Sequence, residues 1–569
     1  MEPGEDERGR EVRARVLTRR ALALTVLALL APAAPAAAAP TGTGRLLVTL
    51  APGAAHQHTR AATAVVAAAG ARRAGWSVPA IGLVTLRPAP GASAAGLARR
   101  LRADPRVARV QAEHRARIRF EPDDPALSTP ETANGTAPGT AVEWWAARSA
   151  FPAAWDVTTG LGATVAVIDT GAETTHPELA DRVAGTQSFD RDGPATSDPV
   201  GHGTHVSSLA CGAGNNGIGL AGAGLRCKLL VIRSDFSDSS VAAAIVWATD
   251  HGADAINMSF GTDPGVQPNQ AVQYAIAYAY SRNVVLAAAA ADDAIEDQGY
   301  PASLLQPTGT GSDLSAGRGL SVTAADATDQ RASFAGRGSQ ISLAAYGSYG
   351  PRGGGGPRGI FGAFTSSTNQ LETGSASVPP RPPCRCRATF GDDARYAYVQ
   401  GTSMSTPMVA ATGALMRHLN PALGVADIVR DIKDTARRPP GSGWNADLGW
   451  GILDAGAALA RARDTDRTAP ASKVRIPRRP RSRRVTLRWK GSDVGPPGVA
   501  RSGVARYELW RSRGGGPYRR VVVTRRTTRT LPVTGGRLYR FYTVATDAAG
   551  NREAKPARPD VSVRLKRLA

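Results

Sequence analysis

Residues 163–171 read ATVAVIDTG. Val165 to Ile168 are apolar without interruption, and Asp169, Thr170 and Gly171 close the run. A strand with one wet face alternates apolar and polar residues, whereas an unbroken apolar run between turn residues suits a strand buried on both faces. The pattern returns in CKLLVI (227–232), DAINMSF (254–260) and NVVLAAAAA (283–291). Helical stretches such as SVAAAIVWATDHG (240–252) and AVQYAIAYAYSR (271–282) separate these runs. Strands alternating with helices predict one α/β domain over residues 143–462, a doubly wound parallel sheet covered on both sides.

The flanking segments have other characters. RLLVTL (45–50), IGLVTLR (81–87) and VARVQAEH (107–114), with a helical run at ASAAGLARRLRA (92–103), predict a small α+β unit. Residues 121–142, rich in Pro, Thr, Gly and acidic side chains, read as an exposed connector. Residues 345–395 contain GPRGGGGPRG and VPPRPPCRC, and read as a surface loop inserted into the α/β domain. After GWGILDAGAALARAR (449–463) the composition changes, with residues 463–475 read as a linker. Residues 471–569 hold 26 Lys and Arg against 5 Asp and Glu, so a surplus of 21 accounts for nearly all of the chain's net charge of +22. The runs RRVTLRWKG, RYELWRS, RRVVVT and LYRFYTVATD alternate apolar and polar residues between turns, which predicts a small β-sandwich over 476–569.

Residues 1–39 place Arg13, Arg15, Arg19 and Arg20 before ALALTVLALLAPAAPAAAA, the order of a secretory signal cut near Ala38 or Ala39. The Arg19-Arg20 pair matches a twin-arginine signal only loosely. No later run reaches the roughly 18 apolar residues of a transmembrane helix, so the expectation is a secreted, extracellular chain without a transmembrane anchor. The four cysteines, Cys211, Cys227, Cys384 and Cys386, suit disulfides better than zinc, and three pairings are open.

Asp169 ends an apolar strand, where open parallel sheets gather functional groups. His202 lies between glycines in GHGTHVSSLACG (201–212), and Ser403 follows Gly-Thr in VQGTSMSTPMVAATGALM (399–416). Taken singly, Asp169 is a turn residue, His202 a structural histidine and Ser403 a helix cap. Taken together, in the order Asp, His, Ser, they match one chain order of the Ser-His-Asp device.

VIDTG, GHGTHV and GTSMSTP resemble the three active-site signatures of the subtilisin-like serine endopeptidases, and the likeness covers about residues 120–462. DAINMSFG, YPAS and GWGILDAGAAL stand in the expected order. The resemblance implies Ser403 as nucleophile, His202 as general base and Asp169 as the carboxylate that orients it; His205 reads as packing, and Ser405 as a weaker rival to Ser403. It implies that Ser259, Phe260 and Gly261 line the substrate groove, although Phe260 also reads as core. DPRVARVQAEH resembles an inhibitory propeptide over 45–120, released by a cut between His114 and Glu121. DRTAP, SGVARYELWRS and YTVATDAAGN resemble a fibronectin type III-like module.

One position departs from the family. Where the family carries AAAGN, with an Asn that donates to the oxyanion, this chain has AAADD, which aligns Asp292, or in the less favoured register Asp293, with the donor. An ionised carboxylate only accepts hydrogen bonds, so the expectation is either a protonated Asp292 or a slow enzyme. The implied partners are protein or peptide substrates and the chain's own propeptide. No cofactor is expected for the chemistry; the resemblance implies structural calcium, for which the residues offer no complete ligand set. The basic tail reads either as a module for anionic cell-surface polymer or as a solvated Arg-rich surface. The competing class is a secreted protease-like binding protein whose activity was lost with the oxyanion donor.

Overall fold

The structure is a computed structural model describing residues 42–52, 58–89, 92–114, 121–350, 355–376, 382–438, 442–477 and 483–564. The signal at 1–39 and the cut expected between His114 and Glu121 fall outside these residues. The chain divides into two compact units, Met1–Ile118 and Arg119–Ala569.

In the first unit, strands β1 (Gly42–Leu50), β2 (Ala71–Arg73), β3 (Leu83–Pro88) and β4 (Val107–His114) form an antiparallel sheet in the order β2-β3-β1-β4. Leu46, Val48 and Leu50 alternate along β1 and bury against Val65 of helix α1 (His58–Ala68) and Leu97 and Leu101 of helix α2 (Ala94–Arg102). Ser93 caps α2 by accepting the Gly96 N–H at 3.1 Å. This is the predicted α+β unit.

The second unit is built on a seven-stranded, wholly parallel sheet. Its strands are β5 (Thr164–Asp169), β6 (Val183–Phe189), β7 (Lys228–Ser234), β8 (Ala255–Met258), β9 (Val285–Ala289), β10 (Leu320–Ala325) and β11 (Leu343–Tyr346), ordered β11-β10-β9-β8-β5-β7-β6. Because alternate side chains of a strand point to opposite faces, β5 sends Val165 and Val167 into one apolar cluster and Ala166 and Ile168 into the other. Helices α3 (His202–Cys211) and α6 (Thr402–Leu419) lie on the first face. Helices α4 (Asp238–Asp250) and α5 (Gln270–Ser281) lie on the second. Two buried faces explain the unbroken apolar runs.

Two sequence expectations need correction. Residues 345–395 are not simply a surface loop: β12 (Ile360–Ala363) is wholly buried and pairs with β14 (Asp393–Val399), which pairs in turn with β13 (Arg387–Phe390). Phe361 stacks on Tyr396 at 5.0 Å and shares an apolar cluster with Ala126, Val142 and Leu220, so the strands of the insertion pack against the body of the unit. The span 463–475 is not all linker, because β15 (Ala471–Arg475) pairs with β16 (Arg484–Ser492). Helices α7 (Val425–Thr435) and α8 (Ala455–Asp464) close the α/β part.

The C-terminal module packs two antiparallel sheets. One has the order β15-β16-β19; the other is β18-β17-β20-β21, with β17 at Val504–Arg513, β18 at Arg519–Thr524, β19 at Thr528–Pro532, β20 at Leu538–Asp547 and β21 at Val561–Arg564. Val485, Leu487 and Trp489 of one sheet meet Tyr507, Leu509 and Phe541 of the other. The module is tied back to the α/β part, for Ala500 N–H donates to Arg463 O at 2.7 Å and Arg467 pairs with Asp427 at 3.1 Å. The disulfides are Cys211–Cys227 and Cys384–Cys386. Among the described residues no helix is long and apolar enough to cross a membrane.

Helix α6 runs against the sheet because Gly413 lets the backbones approach. A Cβ there would stand 2.7 Å from Val285 Cγ1. Gly413→Ala therefore overpacks the core, with an expected loss of about 1–3 kcal/mol in chemical unfolding in spite of alanine's better helix propensity. A stability gain would show that this face is not tightly packed.

Candidate active site

Asp169 ends β5, 1% exposed, and its Oδ1 accepts the Thr170 N–H at 2.8 Å. His202 Nδ1 lies 2.7 Å from the same Oδ1, and an acceptor-only carboxylate sets the tautomer with the proton on Nδ1. Asp169 Oδ2 is buried with no hydrogen-bond partner.

His202 opens α3, and a second aspartate, absent from the sequence reading, holds that end. Asp198 Oδ1 accepts from Gly201 N at 2.8 Å, and its Oδ2 accepts from the N–H and hydroxyl of Thr204 at 2.8 and 2.7 Å. Thr170 Oγ1 donates to Asp198 Oδ1 at 2.8 Å and accepts the Gly203 N–H at 3.0 Å, which stitches the end of β5 to the start of α3. No local signal marks it: the N-cap of α3 is Gly201, and Asp198, three residues earlier, reaches the orphan N–H groups of the first turn only because the chain at 198–201 folds back over it. Burial pushes the Asp198 carboxyl up, against the pull of these donors. Burial would lower the His202 imidazole, but the Asp169 carboxylate, with Asp198 and Asp292 behind it, leaves it above its ordinary value.

Ser403 is the second residue of α6, beside the end of β8. Its Oγ donates to Ser259 O at 3.1 Å, while Ser259 Oγ donates to Ser403 O at 2.8 Å. The structure thus brings Asp169 and His202 into hydrogen bond and leaves the Ser403 hydroxyl on the Ser259 carbonyl. Ser405 is fully buried and its Oγ donates to Ala345 O at 3.0 Å, which removes it from any reacting surface. His205 is also fully buried, donates from Nε2 to Ile360 O at 3.1 Å and Ala397 O at 3.3 Å, and is pushed down by burial to about 4. It pins β12 and β14 to α3, and Gly362 is required there because a Cβ would stand 2.7 Å from the imidazole.

Asp292 sits at the N-terminus of α6, where Oδ1 accepts from Thr402 N at 2.8 Å and from Thr402 Oγ1 at 2.9 Å. Asp293, the other register, is exposed. With Oδ1 committed as an acceptor, a proton that this carboxyl could donate belongs on Oδ2. Phe260 is half-buried against the second apolar cluster and against Phe236 at 4.9 Å, while Gly261 is exposed.

Residues 160–451 match the profile of the Subtilase family, peptidase S8. Thermitase of Thermoactinomyces vulgaris is 30% identical over 297 residues, covering 51% of this chain and 87% of its own. Subtilisin BL of Lederbergia lenta is 30% identical over 301 residues, covering 52% of this chain and 91% of its own. An alkaline protease of Alkalihalobacillus alcalophilus is 30% identical over 320 residues, covering 55% of this chain and 70% of its own.

The chain belongs to the subtilase family. It is a serine endopeptidase of that family, which favours the enzyme over the binding-only reading. Calcium, common in subtilases, takes about six to eight oxygen ligands. Among the described residues, the group of three carboxylates whose oxygens converge is Asp466, Asp493 and Asp547, within 4.8 Å of one another. Asp493 Oδ1 is a buried atom without a hydrogen-bond partner, so this donor set suits a hard cation between the α/β part and the C-terminal module, apart from the reacting groups.

Asp198→Ala removes the acceptor from the first turn of this subtilase's α3. The expected cost is about 0.5–2 kcal/mol in thermal unfolding, with kcat falling more than KM rises as His202 loses its fixed position. An unchanged kcat would show that Asp198 serves stability alone.

Proposed function

We propose that Asp169, His202 and Ser403 hydrolyse peptide bonds through an acyl-enzyme. His202 Nε2 takes the Ser403 proton as Oγ attacks the scissile carbonyl, and Asp169 holds Nδ1–H and stabilises the imidazolium. The observation that carries this reading is the 2.7 Å contact between Asp169 Oδ1 and His202 Nδ1. Before attack, Ser403 Oγ must leave the Ser259 carbonyl by rotation about χ1, a move between staggered wells. The same rotation frees Ser259 O of its hydrogen bond, and an extended substrate backbone pairs as an added strand along Ser259, Phe260 and Gly261.

The oxyanion is met by the Ser403 N–H at the start of α6 and by Asp292 when its Oδ2 carries a proton. His202 works as a base only when neutral, so activity is lost as pH falls through a pKa held above the usual histidine value, whereas an ionised Asp292 can only accept and gives the oxyanion no donor. The expected wild-type rate at neutral pH is therefore low. Asp292→Asn supplies a permanent donor and removes one of the charges that raise His202. The expected result is a kcat at neutral pH higher by on the order of 10²-fold, with the acid limb of kcat/KM moved to lower pH. A neutral-pH rate that stays level or falls would count against Asp292 at the oxyanion.

The β1–β4 unit is the inhibitory propeptide of an exported precursor, removed by a self-inflicted cut between His114 and Glu121. The wild-type chain is expected to release it and to be labelled by a serine-directed fluorophosphonate, and Ser403→Ala is expected to do neither. Release from both chains would assign the cut to another protease.

A further inference from the structure

The C-terminal module carries a feature that peptide hydrolysis does not use. On β17, Tyr507 and Leu509 point into the sandwich core, so Glu508 and Trp510 face outward; on β20, Phe541 and Ala545 point inward, so Tyr542 and Val544 face outward. Pairing sets Trp510 opposite Tyr542 on one side and Arg520 on the other, and Glu508 opposite Val544. The outer face thus gathers an aromatic cluster. Trp510 and Tyr542 lie nearly parallel, 14° apart with centroids at 5.9 Å, and Tyr518 tilts over Tyr542 at 4.7 Å. With Val544, Arg552 and Lys555 these rings line a cavity of about 430 Å³, within the usual range for small-ligand sites.

The charge around the cavity is specific. Glu508, 6% exposed, accepts from Arg552 Nε and Nη2 at 2.9 and 3.1 Å and from Trp510 Nε1 at 3.1 Å, and so fixes the guanidinium and the indole together. Two of the five Arg552 donors are used there, leaving three. Arg520 lies 6.0 Å over the Trp510 ring and Lys555 Nζ 5.7 Å over Tyr518. Three cations against one carboxylate leave the rim positive, and the cations already over the rings disfavour a cationic ligand.

We propose that this cavity binds a sugar ring of an anionic polysaccharide. The apolar C–H face of a pyranose packs on the Trp510 and Tyr518 rings, and its carboxylate, sulfate or phosphate group meets Arg552 and Lys555. The geometry favours a sugar over single-stranded nucleic acid. Tyr542 is 3% exposed and turned toward Trp510, so the cluster forms one pocket and lacks the row of open ring faces on which successive bases stack. The surplus of 21 positive charges in residues 471–569 draws a polyanion toward the pocket at long range.

The test uses the full chain carrying Ser403→Ala, which keeps it from digesting itself. Binding of polygalacturonate, neutral dextran and poly(dT) is followed by intrinsic tryptophan fluorescence and affinity electrophoresis at about 0.15 M salt, where exposed charges act only over about 8 Å. Polygalacturonate is expected to bind and dextran not to bind. Trp510→Ala and Lys555→Glu should each weaken binding about tenfold, and Arg529→Glu, on β19 of the opposite sheet, by less than about twofold. If Trp510→Ala melts early, Tyr518→Ala and Lys555→Glu carry the test, since both side chains are at least partly exposed. Tighter binding of poly(dT), equal binding of dextran, or an Arg529→Glu loss as large as that of Trp510→Ala would each overturn the proposal. With Ser403 restored, peptide hydrolysis by the Trp510→Ala chain is expected to be unchanged, so failure here leaves the peptidase reading intact.

Discussion

A parallel sheet covered on both faces has no room along its strands for an unpaired charge. Burying a carboxylate without partners costs several kcal/mol, so polar groups collect where strands end and helices begin. That constraint places Asp169 at the end of β5, Ser259 just past β8 and Asp292 in the turn after β9, all three at the same edge of the sheet. Helices α3 and α6 start at this edge, and their open N–H groups need acceptors. Asp198 serves α3 and Asp292 serves α6. The chemistry grows out of that need, because the residues that satisfy the helix ends also surround His202 and Ser403.

The same economy explains the cost of Asp292. As a carboxylate it is a good acceptor for Thr402 N–H and adds to the field that holds His202 above its ordinary value. In the proposed reaction the same group could donate to the oxyanion only when neutral, so under that proposal its service to the start of α6 opposes charge development, whereas an amide would serve both ends with one side chain.

The parallel sheet was legible because burial on two faces leaves unbroken apolar runs; the Asp169, His202 and Ser403 segments stand out by their glycine-bounded patterns, and of the three side chains the structure joins Asp169 and His202. Asp198 is not legible in the sequence, because it stands three residues ahead of the N-cap Gly201 and reaches the first turn of α3 only through the fold of the intervening loop. The strands within 345–395 are not legible because Gly and Pro dominate the local composition, while the strands that bury Phe361 and Tyr396 are short and pair with residues 33 to 39 positions away. The linker was drawn too long because β15 alternates buried and exposed residues over only five positions, and its partner β16 must be known before ASKVR reads as a strand.

By itself, the sequence determined which residues are apolar, where helices and strands can begin, and that an Asp, a His and a Ser follow one another in a recognisable order. These are local properties, set by side-chain chemistry within a few residues. Only the tertiary structure decided that Cys211 pairs with Cys227, that the Ser403 hydroxyl rests on Ser259 O, and that Trp510 meets Tyr542 over a buried Glu508. Apart from the local Glu508–Trp510 bond, each joins residues that the sequence holds apart, by 16 positions for the cysteines and 144 for Ser259 and Ser403. Strand register and helix packing choose such contacts, because a shift of one residue would turn every side chain of a strand to the other face.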